Sequence, residues 1–409
     1  MDPSPSIAII GAGPSGLVFA RLLQVHGITD YVVFERDPSS TPGPWQQGGS
    51  LDLHGPSGQA ALKKARLFDA FNSVYARWDA SRVHIVNQTG ETVTRFGEGR
   101  DAPEIDRLQL RQLLLDSVDA SKIRWNHEVR SVEREDSKSS GSRENCCTIH
   151  FTNGSSVTGC RLIVGADGVW SKLRPLLTPA KPVYAGKMYI EGKISHNNPS
   201  YSTAKETAGP GTMLAVGQQK QMAVQQIADG TYRVYFGLKV PETFYHHRSG
   251  SAVYKTEAIR QMLLSLDDFY ATWAPHLKAI IANAEGPFRA WPLYRMELDD
   301  VGWKRVAAPG MTLLGDAAHV STPFVGEGVN CSMYDAVVLA ERIFEQCGGA
   351  SSLANVPAAR LEKALASYEQ DMFERGRDLI RRSMESEGMI FAGNAAELLL
   401  QAISGANGA

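Results

Sequence analysis

Near the N-terminus the apolar positions form one unbroken run, then a helical stretch, then a second run. Ile7-Ala8-Ile9-Ile10 is apolar throughout and reads as a buried parallel strand. Leu17 to Val25 has a helical pattern and stops at Gly27. Tyr31 to Phe34 is a second apolar strand and ends at Glu35-Arg36. Strand, helix and strand within about 30 residues make one βαβ unit. Further along, Gln59 to Phe71 reads as a helix, Val83 to Thr94 as a hairpin and Leu108 to Val118 as an amphipathic helix. Val129 to Arg134 and Cys147 to Phe151 alternate like strands around a polar loop, and Asn153-Gly154 turns into Val157 to Val164.

The pattern changes after about residue 183. Met188 to Ile194, Gln221 to Ile227 and Tyr232 to Val240 are strand-like, with a helical stretch from Ile259 to Trp273. An α/β pattern returns at Met311 to Gly315, followed by a helix from about Gly328. Leu361 to about Met389 is charged and helical throughout. A chain of 409 residues is too long for one ordinary core. The expected division is 1–180 with 301–355 as one discontinuous α/β domain, 181–300 as an inserted sheet domain and 356–409 as a C-terminal helix.

Charge and cysteine content narrow the class. A formal net charge of -2 points to neither nucleic acid nor an acidic membrane. No apolar run is long enough to span a bilayer, and the N-terminal MDPSPS does not read as a secretory signal. The five cysteines include no CxxC pair, which favours a reducing, cytoplasmic setting over a disulfide framework. The ten histidines form no HExxH or Cys/His cluster, so no metal is expected. His319 reads as a structural residue at a strand-to-helix turn, and Cys331 as a small buried hydrophobe. Trp291, Pro292 and Phe288 are candidate pocket walls, although buried aromatics are usually core.

The chemistry lies in three glycine-bearing segments. Gly11, Gly13 and Gly16, with Pro14 and Ser15 between them, form GAGPSG. Gly11 allows the tight turn, Gly13 lets backbone approach a pyrophosphate, and Gly16 lets strand and helix pack closely. The helix N-terminus offers N–H groups to phosphates. Glu35 stands about 20 residues on, where a carboxylate meets ribose hydroxyls. The second segment, Gly165 to Gly168 with Asp167, follows an apolar strand. In the third, Asp316 ends a strand within GDAAH, and Pro323, Phe324, Gly326, Gly328, Val329 and Asn330 follow at a helix start. That helix would point partial positive charge at a flavin that gains negative charge on reduction.

In that order and spacing, GAGPSG, GADG and GDAAHVSTPFVGEGVN resemble the class A flavoprotein monooxygenases, the p-hydroxybenzoate-hydroxylase-like fold. QGGSLDLHGPSGQAALKKA (47 to 65) and EIDRLQLRQLL (104 to 114) are similar to the TetX-type tetracycline-inactivating group. The resemblance implies an α/β Rossmann-like FAD-binding domain, an inserted β-sheet substrate domain and a long C-terminal helix, 356–409, that bridges the two. It also implies bound FAD, reduced by transient NADPH or NADH, with O2 giving a C4a-hydroperoxide that hydroxylates an aromatic, enolic or polyketide-like molecule. Tetracycline is one candidate substrate, and a monomer is expected. Glu35 and Arg36 would hold the adenosine end, Asp52 and Arg111 would contact FAD, and Asp316 would bind the ribityl or pyrophosphate region. Gly326 to Asn330 would line the isoalloxazine.

Two departures stand out. Trp45 falls where the TetX-type group has an arginine associated with the nicotinamide cofactor. The group's drug-recognising glutamine, arginine and histidine fall on Glu191, Met213 and Tyr235, which changes what the pocket can pair with. A flavin halogenase shares the fold, but Gly302-Trp303-Lys304 does not match its tryptophan motif. A non-catalytic flavoprotein that sequesters such a ligand is a third reading.

Overall fold

The computed structural model describes residues 5–43, 48–134, 147–245, 252–348 and 351–406. Its centre is a five-stranded parallel sheet with the order Met311–Leu313, Leu162–Gly165, Ile7–Ile10, Tyr31–Phe34, Ile123–Arg124. The near-continuous apolar strands are buried on both faces, as the runs at 7–10 and 31–34 require. Tyr31 faces the helix Pro14–Val25, where its hydroxyl meets Gln24 at 2.5 Å. Phe34 points the other way, onto Phe151 of a three-stranded antiparallel sheet, with ring centroids 4.8 Å apart. This is the expected α/β nucleotide-binding architecture.

A seven-stranded sheet forms the second layer system. Its order is Glu285–Arg295, Val183–Ile194, Tyr232–Lys239, Lys220–Gln226, Thr212–Gly217, Val83–Asn87, Thr92–Phe96. The hairpin at 83–96 is therefore part of this sheet, which draws on more of the chain than the 181–300 stretch expected to supply it. Glu285–Arg295 has Gly286, Pro287 and Pro292 within it, so its sequence does not read as a strand. It lies on the sheet's edge, where missing N–H donors are tolerated. The expected helix to Trp273 ends earlier, as Ala252–Ser265, and a second helix follows at Pro275–Asn283.

The seven-stranded sheet buries one face and turns the other to the nucleotide-binding half. Met188, Ile190, Met213, Met222, Val224, Val234 and Phe236 pack with Ile259, Leu263, Leu277 and Ile280 of the helices. Their alternates, among them Tyr189, Glu191, Arg233 and Tyr235, are on the opposite face by the two-residue period of a strand.

The C-terminal segment is two helices, Ala358–Ile390 and Ala395–Ala406, rather than one. The first has 33 residues and is about 50 Å long at 1.5 Å per residue. Leu361, Leu365, Tyr368 and Met372 pack in the core of the parallel sheet. Its far end, Ile390 and Phe391, joins Ala395 and Leu399 in packing against Ile85 and Val216 of the seven-stranded sheet. The helix thus packs against both halves. No helix among the described residues is long and apolar enough to cross a membrane.

Candidate active site

The first glycine segment has the shape of a phosphate cradle. Gly11 has φ +108, and a Cβ there or on Gly16 would run into backbone oxygen. A Cβ on Gly13 would meet no atom within 4 Å, so the chain is open at the point where backbone must approach a ligand. The helix Pro14–Val25 starts at Gly13 with Pro14 in its first turn and no side-chain cap. Its buried first-turn residues Ser15 and Gly16 leave their N–H groups for a ligand. Glu35 is buried at the end of the neighbouring strand. It accepts the Ala12 N–H at 2.6 Å and the Asp37 N–H at 3.0 Å, which fixes the carboxylate beside the cradle. Arg36 is exposed. Arg111 donates to Asp37 at 3.0 Å and to the Ser40 carbonyl at 3.2 Å, with its guanidinium 5.7 Å from the Trp125 ring centre.

Asp167 and Asp316 flank the strands Leu162–Gly165 and Met311–Leu313, which are parallel neighbours. One Asp167 oxygen accepts the Lys172 N–H at 2.7 Å. The other is buried with no hydrogen-bond partner among the described residues. Burial pushes the Asp167 carboxyl above the usual range, against hydrogen bonds from Ser171 and Lys172. Asp316 opens onto the cleft. Surrounding protein mass still raises its carboxyl, against the opposing effects of His319, Arg107 and Arg174. Solvent reaching it through the cleft limits that rise. An orphaned acceptor, a glycine cradle and uncapped N–H groups fit a dinucleotide that carries phosphates and polyol hydroxyls.

The third segment is tied to the loop after Asp52. The Asn330 side-chain oxygen accepts the His54 N–H at 2.8 Å and the Gly58 N–H at 3.2 Å. Its amide donates to the Asp52 carbonyl at 2.8 Å. The side chain of Asn330 is therefore bonded to this loop, and any contact with a flavin would come from backbone. Asp52 itself bonds Arg100 at 2.6 Å and His54 at 2.9 Å. Gly326 is left-handed at φ +72 and lies against Asp52. Pro323 and Phe324 form the preceding turn, and Gly328 and Val329 open the helix Gly328–Cys347. Glu327, at the cap of that helix, takes both arms of Arg382 at 2.7 Å, which ties the turn to the long C-terminal helix.

Facing this cleft, the seven-stranded sheet brings Glu191 and Tyr235 opposite each other on adjacent strands. Tyr189 lies 5.8 Å from Tyr235 and 6.1 Å from Phe324, centroid to centroid. Phe324 in turn meets Phe391 edge-on at 5.6 Å. Glu191 is buried; it accepts the Trp291 indole N–H at 2.6 Å and pairs with Arg233 at 3.2 Å. A cavity of about 200 Å³ is lined by Glu191, Lys193, Arg233, Glu285 and Arg289 with Gly192, Gly286 and Pro287. Burial raises the Tyr189 and Tyr235 phenols well above their ordinary range, so both stay protonated.

Some expected positions fall elsewhere. Met213 is fully buried on the core face beside Val224 and does not reach the cleft. Its neighbour Leu214 carries the alternation to the other face. Phe288 likewise belongs to the sheet-helix core, and Pro292 pairs with buried Met188, so of the three candidate walls only Trp291 faces the cleft. Trp45 lies outside the described residues.

Three arginines outside the glycine-bearing segments, Arg107, Arg233 and Arg289, also come to this region. Arg107 stands inside the quoted EIDRLQLR string, at the start of the helix Arg107–Ser117. Arg233 shares a strand face with Tyr235 at a spacing of two, and that periodicity was available from sequence.

His319 is buried at the turn after Met311–Leu313. It meets Asp335 at 2.6 Å, and Asp335 also holds Arg375 at 2.7 Å and the Gly315 N–H at 3.0 Å. Burial would lower the His319 pKa, but Asp335 outweighs burial and holds the imidazole protonated. His319, Cys331 and Asp335 offer atoms within 4.8 Å of one another, which is metal-like spacing. Two cationic side chains on one carboxylate leave little call for a third cation.

Comparison with known proteins agrees with this geometry. Residues 5–383 match the family described as FAD binding domain. A monooxygenase of Emericella nidulans, asqM, is 31% identical over 96% of this chain and 97% of its own length. The structure of Klebsiella pneumoniae HpxO complexed with FAD and uric acid superposes with a TM-score of 0.73 at 23% identity, covering 97% of this chain and 92% of that one. The tetracycline destructase Tet(51) gives 0.68 at 17% identity, covering 99% and 95%. The expected nearness to tetracycline-inactivating enzymes is thus a likeness of fold at 17% identity, while a fungal monooxygenase is 31% identical in sequence. A cradle built for a dinucleotide, a family match across most of the chain and a full-length relative lead to one assignment: the chain belongs to the class A FAD-dependent monooxygenases.

Proposed function

We propose that the protein uses NADPH or NADH and O2 to place one oxygen atom on an aromatic, enolic or polyketide-like molecule held between the FAD cleft and the seven-stranded sheet. The observation that carries this reading is the sheet face. Tyr189, Tyr235 and Trp291 project from it, with Phe324 in edge contact from the flavin side. Flat rings of this kind stack on or edge against a planar substrate.

In this reading Gly11, Gly13, Pro14, Ser15 and Gly16 cradle the pyrophosphate, and Glu35, Arg36 and Arg111 hold the adenosine end. Asp167 and Asp316 receive polyol hydroxyls, and Asp52 braces the turn. Backbone of Pro323 and Gly326 to Asn330 borders the ring system. When bound, FAD supplies the electrons and the oxygen activation. The side chains orient the substrate and exclude water from the cleft, which protects a reactive centre from hydrolytic side reactions. Glu191 is a poor general base, because both its oxygens already accept hydrogen bonds.

The test is coenzyme oxidation by the FAD-loaded protein against a panel of phenols, enols and fused-ring polyketides, with tetracycline among them. Product masses are read alongside the rates. Substrate-stimulated oxidation with a product heavier by one oxygen atom is expected. Oxidation that yields only hydrogen peroxide with every compound would overturn the proposal.

A further inference from the structure

The cleft face of the seven-stranded sheet carries more cationic side chains than it pairs. Three arginines gather about the buried carboxylate of Glu191. Arg233 pairs with it at 3.2 Å, and one nitrogen of that guanidinium is buried with no partner among the described residues. Arg289 stands directly across from Glu191 on the edge strand and lines the same 200 Å³ cavity. Arg107 opens the helix Arg107–Ser117 of the flavin-binding half. Its backbone N–H donates to the Gly49 carbonyl at 3.0 Å. The Tyr235 hydroxyl lies against Gly49. Glu191, Tyr235 and Asp316 are among the groups whose fields act on the Arg107 guanidinium.

Neither Arg107 nor Arg289 makes a side-chain hydrogen bond or ion pair among the described residues, although both are half-buried. A guanidinium has five donors and holds its charge throughout the physiological range. Two such groups kept partly out of water without acceptors are costly unless a ligand brings acceptors to them. The acidic neighbours do not fill that need. Glu191 is already bonded by Arg233 and Trp291, and Glu285 by Ser195 and Asn198. Lys193 has Glu285 at 3.7 Å, so the cavity's unmatched charge is that of Arg289.

We propose that Arg289, with Arg107 reaching in from the helix Arg107–Ser117 of the flavin-binding half, forms beside the Glu191–Arg233 pair an anion-binding subsite that takes an ionised oxygen of the substrate. The group is an oxyanion conjugated to the substrate's ring, such as a carboxylate, enolate or phenolate. This deepens the proposed oxygenation, since it rests on the same cleft and names the charge its substrate carries. It also supplies from other positions the positive charge that Met213 cannot. The Glu191 carboxylate acts as a positioning group: it fixes Arg233 and Trp291, and its field keeps the arginines gathered without satisfying them.

The experiment uses the full-length FAD-loaded protein and two arenes of one shape, benzoate and benzamide, titrated at neutral pH and read by the flavin absorbance change. Benzoate binding at least tenfold tighter than benzamide is expected in the wild type. That preference should fall at least tenfold in Arg107→Gln and in Arg289→Gln, and survive in part in Arg289→Lys. Ionic strength should weaken benzoate and leave benzamide unmoved. Absence of saturable benzoate binding, equal affinity for the two arenes, or a preference that survives both glutamine variants would overturn the subsite. FAD content and reduction by NADPH are measured on the same samples. A flavin that reduces normally while benzoate fails to bind would sink the subsite and leave the monooxygenase reading standing. Arg289 lies on an edge strand outside both main cores, so its variants remain a usable readout if Arg107→Gln folds poorly.

Discussion

The side-chain amide of Asn330 donates to the backbone carbonyl of Asp52 at 2.8 Å, closing a bond between residues 278 positions apart in the chain. With the His54 and Gly58 N–H groups on its oxygen, Asn330 joins the helix that opens at Gly328 to the loop that follows Asp52. Asn330→Ala would leave two buried donors and one acceptor unmatched, at a cost of about 2–4 kcal/mol. Thermal unfolding of the FAD-loaded protein should show the loss. Asn330→Asp keeps the acceptor and loses the donor, and should fall between the two. Equal melting of wild type and alanine variant would show the bonds to be idle.

The glycine cradle predicts a separation of folding from binding. Gly13 has ordinary extended backbone and open space at its Cβ, so Gly13→Val should change apo-protein stability by less than about 0.5 kcal/mol while FAD retention collapses. Gly16→Val meets the Gly11 carbonyl and should destabilise the fold itself. Urea unfolding of apo protein and FAD content after gel filtration distinguish the two. Parallel behaviour of both variants would contradict this division.

Glu104 predicts a pH dependence of unusual sign. Burial pushes its carboxyl from 4.5 up to about 7, reinforced by Asp52 and opposed by Ser50, Arg77 and Arg100. The folded state therefore holds a proton that the unfolded chain releases. Its contribution to stability falls as pH rises from 4.5 to about 7 and is level beyond, a change of about 3 kcal/mol. Glu104→Gln should flatten the fall across that window in urea titrations at successive pH values. An unchanged slope would place the titration elsewhere.

The His319–Asp335 pair predicts the opposite shape. Burial alone would raise Asp335, but His319 and Arg375 hold its carboxyl below the usual range. Its stabilising part is therefore present above 3.8 and lost as pH falls through the depressed value. The part from His319 is present below 6.5 and lost as pH rises through its raised value. The difference in stability between wild type and a His319→Gln/Asp335→Asn double variant should therefore peak between pH 3.8 and 6.5. Asp335→Ala alone, which strands two cations, should cost about 3–5 kcal/mol. A difference that does not vary with pH would mean that neither group is shifted by folding.

Much of the nucleotide-binding half was legible in the sequence because its signals are local. An apolar run, a glycine turn and an acidic residue at the next strand end lie within thirty-odd positions, and each has one physical purpose. The substrate half was less legible because its information is a matter of face and register. Met213 and Leu214 differ by one position in the chain and by a whole face in the sheet, so a shift of one residue decides which side chain is on the cleft side. Glu285–Arg295 was hidden by its prolines, which an edge strand accepts. Arg289 gains meaning only when its edge strand pairs with the strand that carries Glu191, about a hundred positions away in the chain.

The alternation along the seven-stranded sheet bears on how such a protein changes over generations. Residues that hold the sheet to its helices and residues that look into the cleft are interleaved one by one, yet they belong to separate sets. A mutation at Tyr189, Ala223 or Tyr235 alters the chemical character of the cavity wall while the packing beneath keeps its shape. A library confined to those alternate positions should therefore yield mostly folded variants with diverse ligand preferences, whereas one confined to Met213, Val224 and Phe236 should yield mostly aggregates.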